Sequence, residues 1–131
     1  MKAIYILLLF LSVVSSNVMA EWVEFLISKD GNATAYVDPS TNIKKGSKVK
    51  MWALLDFRFA KTAGGKTYLS TRQQHELDCK KKKLRLLAFS LYSGNIGNGS
   101  AVYESSTTGN WEVVRKIGLD KMLWDIACGT K

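Results

Sequence analysis

The hydrophobic and polar positions of this chain fall into three regimes. Ala3–Leu11 is a continuous apolar run behind Lys2, extended by Val13 and Val14 and followed by polar and small residues up to Val18-Met19-Ala20. One positive charge, a short apolar segment and small residues before a cut mark a cleaved leader, so residues 1–20 are expected to be a signal peptide with cleavage after Ala20. The run is shorter than the roughly 20 apolar residues a bilayer span requires, and no basic stop-transfer cluster follows it.

The second regime alternates. Trp22–Ile27 is rich in β-formers, and Ala35–Val37 is a short strand ended by the turn at Asp38-Pro39-Ser40, where proline fixes φ. Lys44–Ser47 reads as a polar turn. In Val49–Phe59, Val49, Met51 and Ala53 fall on one face and Trp52, Leu54 and Asp56 on the other. Gly64-Gly65 separates this run from Tyr68–Cys79 and signals a hairpin. Leu84–Tyr92 is the most hydrophobic stretch after the leader and suits a central strand with both faces partly covered. Ser93–Ser100 must turn, and Ala101–Tyr103 and Trp111–Val114 are short strands around a polar loop.

The third regime has a helical period. Leu119, Met122, Leu123, Ile126 and Ala127 form one apolar stripe, and Gly129 is a natural helix end. The two cysteines, Cys79 and Cys128, are expected to pair in an oxidising compartment and so to tie a strand end to the last turn of this helix. A single amphipathic helix needs one side of a sheet to cover. The expected fold is therefore α+β: an antiparallel sheet of about six strands with one C-terminal helix packed on it and tied by the disulfide. Residues 21–131 are expected to form one domain.

Charge sharpens this picture. The chain has 19 basic and 11 acidic residues, and the leader removes only one of the basic ones. An exported protein this basic is attracted to anionic surfaces. The densest charge run is Lys80, Lys81, Lys82 and Lys83 with Arg85, a candidate basic patch for polyanions that Phe89 and Tyr92 could flank; the competing reading is a solvated turn. Ala60–Thr67 fits a loose phosphate-loop pattern, but a strand rather than a helix follows it, so a hairpin turn is expected. His75 falls in a polar strand and reads as an exposed or edge histidine without a catalytic partner; a pocket gathering it with carboxylates would point the other way. No catalytic set, metal site or cofactor is expected. Four tryptophans, Trp22, Trp52, Trp111 and Trp124, suit core packing, and an exposed one would mark a binding face.

Placed in order, several segments resemble the surface-adhesin protein E family of Gram-negative bacteria. They are Tyr36–Ser40 with Ile43, Val49–Asp56, Tyr68–Ser70 with Arg72-Gln73, Asp78-Cys79, Tyr92–Gly94 leading to Gly97–Gly99, and Leu123–Cys128. The resemblance implies a curved antiparallel sheet with the C-terminal helix strapped on by Cys79 and Cys128. It also implies a non-enzymatic binding domain contacting host extracellular-matrix or serum proteins. A soluble accessory protein of the cell envelope and a polyanion binder are the alternatives. The partners expected are proteins, including envelope components or a second copy paired through a sheet edge, with no specific nucleic acid. Glu21 rather than cysteine follows the expected cut, so the domain is expected in the periplasm or secreted, without a lipid anchor or transmembrane segment.

Overall fold

The computed structural model describes residues 21–129, and the expected signal peptide lies outside them. Eight strands and one helix follow in order: β1 (Val23–Ile27), β2 (Ala33–Val37), β3 (Ile43–Lys45), β4 (Lys48–Ala63), β5 (Lys66–Asp78), β6 (Lys83–Tyr92), β7 (Ala101–Ser105), β8 (Glu112–Val113) and α1 (Leu119–Cys128). Every pairing is antiparallel, in the order β1-β2-β4-β5-β6-β7. The remaining short strands share edges already in use: β3 lies beside the start of β4, and β8 beside the start of β6. Among the described residues, no helix is long and apolar enough to cross a membrane.

Local chemistry sets the corners. Asp38 accepts a hydrogen bond from the Ser40 amide at 3.1 Å and caps the short 3-10 turn Pro39–Thr41, with proline at its first position. Gly64 and Gly65 both take positive φ, +56° and +75°, as a two-residue hairpin turn with the twist of its flanking strands requires. The phosphate-loop pattern is thus a β4–β5 hairpin. Below that turn, Phe57–Ala60 of β4 bulge opposite the single residue Leu69, so the hairpin tip departs from the regular ladder.

Directly opposed residues on neighbouring strands share a face. Val37, Met51, Ala53, Leu77 and Leu84 share one, and α1 lies on it with Val114. Met51, Leu77 and Leu123 are fully buried there. Helix α1 meets this core through Leu119, Leu123, Trp124, Ala127 and Cys128, while Ile126 is 37% exposed. The expected stripe over Met122 and Ile126 is therefore rotated. Cys128 has to reach Cys79, just beyond β5, and the bond between them holds their Cα atoms 5.4 Å apart. That tether turns the Trp124–Cys128 side inward and Ile126 out.

On the opposite face, Leu54 is also fully buried, and its cover is the Ser93–Ser100 loop. Asp56 Oδ1 accepts hydrogen bonds from the Ile96 amide at 2.7 Å and from Asn95 Nδ2 at 3.1 Å. Ser70 Oγ donates to the Gly94 carbonyl at 2.7 Å and accepts from the Gly97 amide at 2.9 Å. Ile96 is held at φ +54°, unusual for a β-branched residue. The four polar contacts and the burial of Leu54 hold it there.

Candidate functional site on the open sheet face

Away from that loop, the second face carries no helix among the described residues. At its β3–β6 end two cross-strand rows stand side by side. The first runs Lys45, Lys48, Asp78, Lys83; the second runs Ile43, Lys50, Glu76, Arg85. Trp111 precedes Glu112, the partner of Leu84, and so lies beside Arg85, whose guanidinium carbon is 4.4 Å from its ring centre. Lys48 Nζ sits 5.6 Å from the same ring. Further along this face the Arg72 guanidinium stacks 4.1 Å from the centre of Trp52.

The two carboxylates within the rows are buried and already engaged. Glu76 Oε1 takes Arg85 Nη2 at 2.6 Å and Nε at 2.9 Å. Asp78 Oδ1 accepts from the Lys80 and Lys81 amides at 3.1 and 3.0 Å, fastening the turn into β6. Those amides, with the Lys81 and Lys48 charges nearby, hold the Asp78 carboxyl below its usual range. Lys45, Lys48, Lys50 and Lys81 remain exposed. A shallow pocket of about 270 Å³ opens among Ser47, Lys48, Asp78, Lys81, Lys83 and Trp111.

The run Lys80–Lys83 with Arg85 is therefore divided by the fold. Lys81, Lys83 and Arg85 join the open face. Lys82 turns toward α1, with Nζ 5.1 Å from the Trp124 ring centre, and Lys80 stays in the exposed turn. Phe89 and Tyr92 do not flank the run: Phe89 lies far along β6 against Tyr103, ring centres 5.6 Å apart, and Tyr92 pairs with Ser70. The aromatic partners are Trp111 and Trp124. Lys45, Lys48 and Lys50 enter the same patch from a distant part of the chain through strand register. No tryptophan is fully exposed; each is half-buried, and Trp52, Trp111 and Trp124 carry a cation.

His75 also departs from its expected place. It is mostly buried in the interior strand β5, on the helix face, rather than exposed or at an edge. Thr71, Gln73 and His75 make that stretch look polar, yet β4 and β6 flank it on both sides. A cavity of about 310 Å³ gathers His75 with Glu112, Asp120, Arg85 and Asn110. This grouping does not assemble a base. Burial pushes the imidazole pKa down to about 4 against a small opposing pull from Asp120, so the ring is neutral and weakly basic. Its Nε2 is 2.9 Å from Gln73 Oε1, and Asp120 is held by Arg115 Nε at 2.8 Å.

An antiparallel sheet with one face under a disulfide-strapped helix and the other bearing ordered cations defines a small α+β domain with an open, basic sheet face. The chain belongs to the surface-adhesin protein E family, whose sequence profile matches residues 22–129. Among solved structures it is similar to Haemophilus influenzae protein E, with a TM-score of 0.62 at 17% identity over 80% of this chain and 84% of that one. A second crystal form of that protein gives 0.62 at 16% identity, over 80% and 86% of the chains. Protein E from non-typeable Haemophilus influenzae gives 0.60 at 15% identity, over 86% and 78%. At this identity the likeness is one of fold. A comparison with curated protein sequences found no match.

Proposed function

We propose that this chain is an exported, non-enzymatic binding domain of the adhesin type, which uses its open sheet face to engage host extracellular-matrix or serum proteins. The observation that carries this reading is the division of the sheet. One face is occupied by α1 and the core, while the other offers aligned, exposed cations beside half-buried aromatic rings. Such a surface recognises acidic patches on a partner and gains association rate from its field. The disulfide and the family support export, with a cleaved leader delivering the domain to the periplasm or medium. Envelope components, or a second copy paired through the β1 or β7 edge, are the alternative partners.

The test is binding of the purified domain to immobilised matrix and serum proteins across a salt series. Salt-sensitive binding weakened by Lys48→Glu and Lys50→Glu supports the reading. Absence of binding at low salt refutes the adhesin role. Fractionation of the producing cells tests export, and recovery of the domain in the cytoplasm would overturn it.

A further inference from the structure

We infer that the two basic rows form a binding site for an anionic polysaccharide, a linear chain of sulfated or carboxylated sugars lying across β3–β6 on the open face. Six cations, Lys45, Lys48, Lys50, Lys81, Lys83 and Arg85, converge there. The two carboxylates among them, Glu76 and Asp78, are buried and engaged by Arg85 and by turn amides. The lysine ammonium groups are therefore the part of this lattice that faces solvent. With strands about 4.8 Å apart and alternate residues about 6.7 Å apart, Lys45 to Lys83 spans about 14 Å in one row, with the second row alongside. An extended polymer carrying repeated negative groups can meet several of these charges at once.

At one pair the arrangement works against the sheet's own stability. Lys45 stands directly opposite Lys48 with no carboxylate between them, a placement that weakens strand pairing. Edge protection accounts for a lysine on short β3; Lys48, Lys50 and Lys83 lie on longer strands opposite Asp78 and Glu76, carboxylates already engaged by turn amides and Arg85. That one broken pairing, set beside six cations and only two carboxylates at this end of the face, points to a ligand.

The surroundings select the polymer. The pocket beside Trp111 is shallow, polar-rimmed and has room for a single sugar unit, with Lys48, Lys81 and Lys83 around it. Single-stranded nucleic acid needs free aromatic platforms for successive bases. Here Trp111 carries Arg85 and Lys48, and Trp52 carries Arg72. Sequence-specific readout in the major groove of duplex DNA needs a helix or a two-stranded ribbon, and this face presents neither. A sugar chain can bind a domain that recognises no matrix protein, so this site does not depend on protein binding.

The experiment titrates residues 21–131 with a fluorescent heparin octasaccharide, comparing Lys48→Gln/Lys50→Gln/Lys83→Gln with a charge-matched control, Lys29→Gln/Lys61→Gln/Lys66→Gln. Treating each lost contact with the counterion coefficient of a single-stranded polyanion, the row variant should bind about 100-fold more weakly at about 0.1 M salt, with its salt slope reduced by about 2. The control should stay within about 3-fold of wild type. Thermal melting verifies folding; if the triple variant fails to fold, Lys48→Gln alone should weaken binding about 5-fold. Absence of binding at low salt, or equal losses in both triple variants, overturns the site. Equal affinity for oligothymidylate or for phosphatidylglycerol vesicles overturns the polysaccharide assignment.

Discussion

Acid should destabilise this domain through one side chain before its carboxylates matter. His75 is the chain's only histidine, and burial holds its pKa at about 4 in the fold against 6.5 when free. The unfolded chain therefore binds the proton more readily, and stability falls as pH drops through 6.5 toward 4. Above 6.5 the ring is neutral in both states and nothing is lost; below 4 it is charged in both and the loss levels off. The linkage relation gives a loss of about 1.5 kcal/mol near pH 5.5 and about 2.5 kcal/mol near pH 4.5, approaching a limit of about 3.4 kcal/mol. For a domain holding about 5–15 kcal/mol in all, that is a substantial share. Asp30 and Asp78 are both held below the usual carboxylate range, so their losses develop at still lower pH.

The charged groups around the histidine cavity are Arg85, Glu112 and Asp120; Asp120 opposes the shift and is paired with Arg115, and Arg85 is paired with Glu76. Urea unfolding followed by tryptophan fluorescence, between about pH 7.5 and 4.5, measures the slope, with the midpoint falling by about 1–2 M over that range. His75→Gln cannot titrate and should flatten the profile above about pH 4.5. A wild-type profile without slope in this window, or an unchanged slope in His75→Gln, refutes the reasoning.

Three further outcomes test the scaffold. Replacing Cys79 and Cys128 by alanine releases a loop whose ends are 49 residues apart, and the chain-entropy relation puts the loss at about 4 kcal/mol, read by calorimetry of the variant against the oxidised protein. Leu123→Ala removes a fully buried anchor of α1 and should cost about 2–5 kcal/mol in chemical denaturation, whereas Ile126→Ala, on the exposed side, should cost well under half of that. Asp56→Ala strips the Ser93–Ser100 loop of its acceptor for Ile96 and Asn95; a loss of about 1–3 kcal/mol and faster amide exchange at Ile96 are expected, and unchanged exchange would show that Leu54 packing alone holds the loop.

Much of this protein was legible before any tertiary contact was known. Period-two alternation over Val49–Asp56 assigns Met51 and Ala53 to one face and Trp52 and Leu54 to the other, because successive side chains of a strand must point oppositely. Gly64-Gly65 specifies its hairpin through backbone freedom, and the change to a helical period after Gly118 separates α1 from the sheet. Other features have no local signature. Met122 and Ile126 are as apolar as Leu123, and only the tether at Cys128 decides which side of α1 meets the core. His75 lies among polar residues yet is mostly buried, because burial in a sheet depends on flanking strands and a covering helix.

The basic run divides the same way. Composition and spacing determined that lysines cluster at Lys80–Lys83; the tertiary structure decided which of them act together. The turn sends Lys82 to Trp124, while antiparallel register brings Lys45, Lys48 and Lys50 from more than 30 residues upstream into line with Lys83 and Arg85. Charge density is a property of neighbours in the chain, but a binding surface is a property of neighbours in space. In a sheet, register converts one into the other.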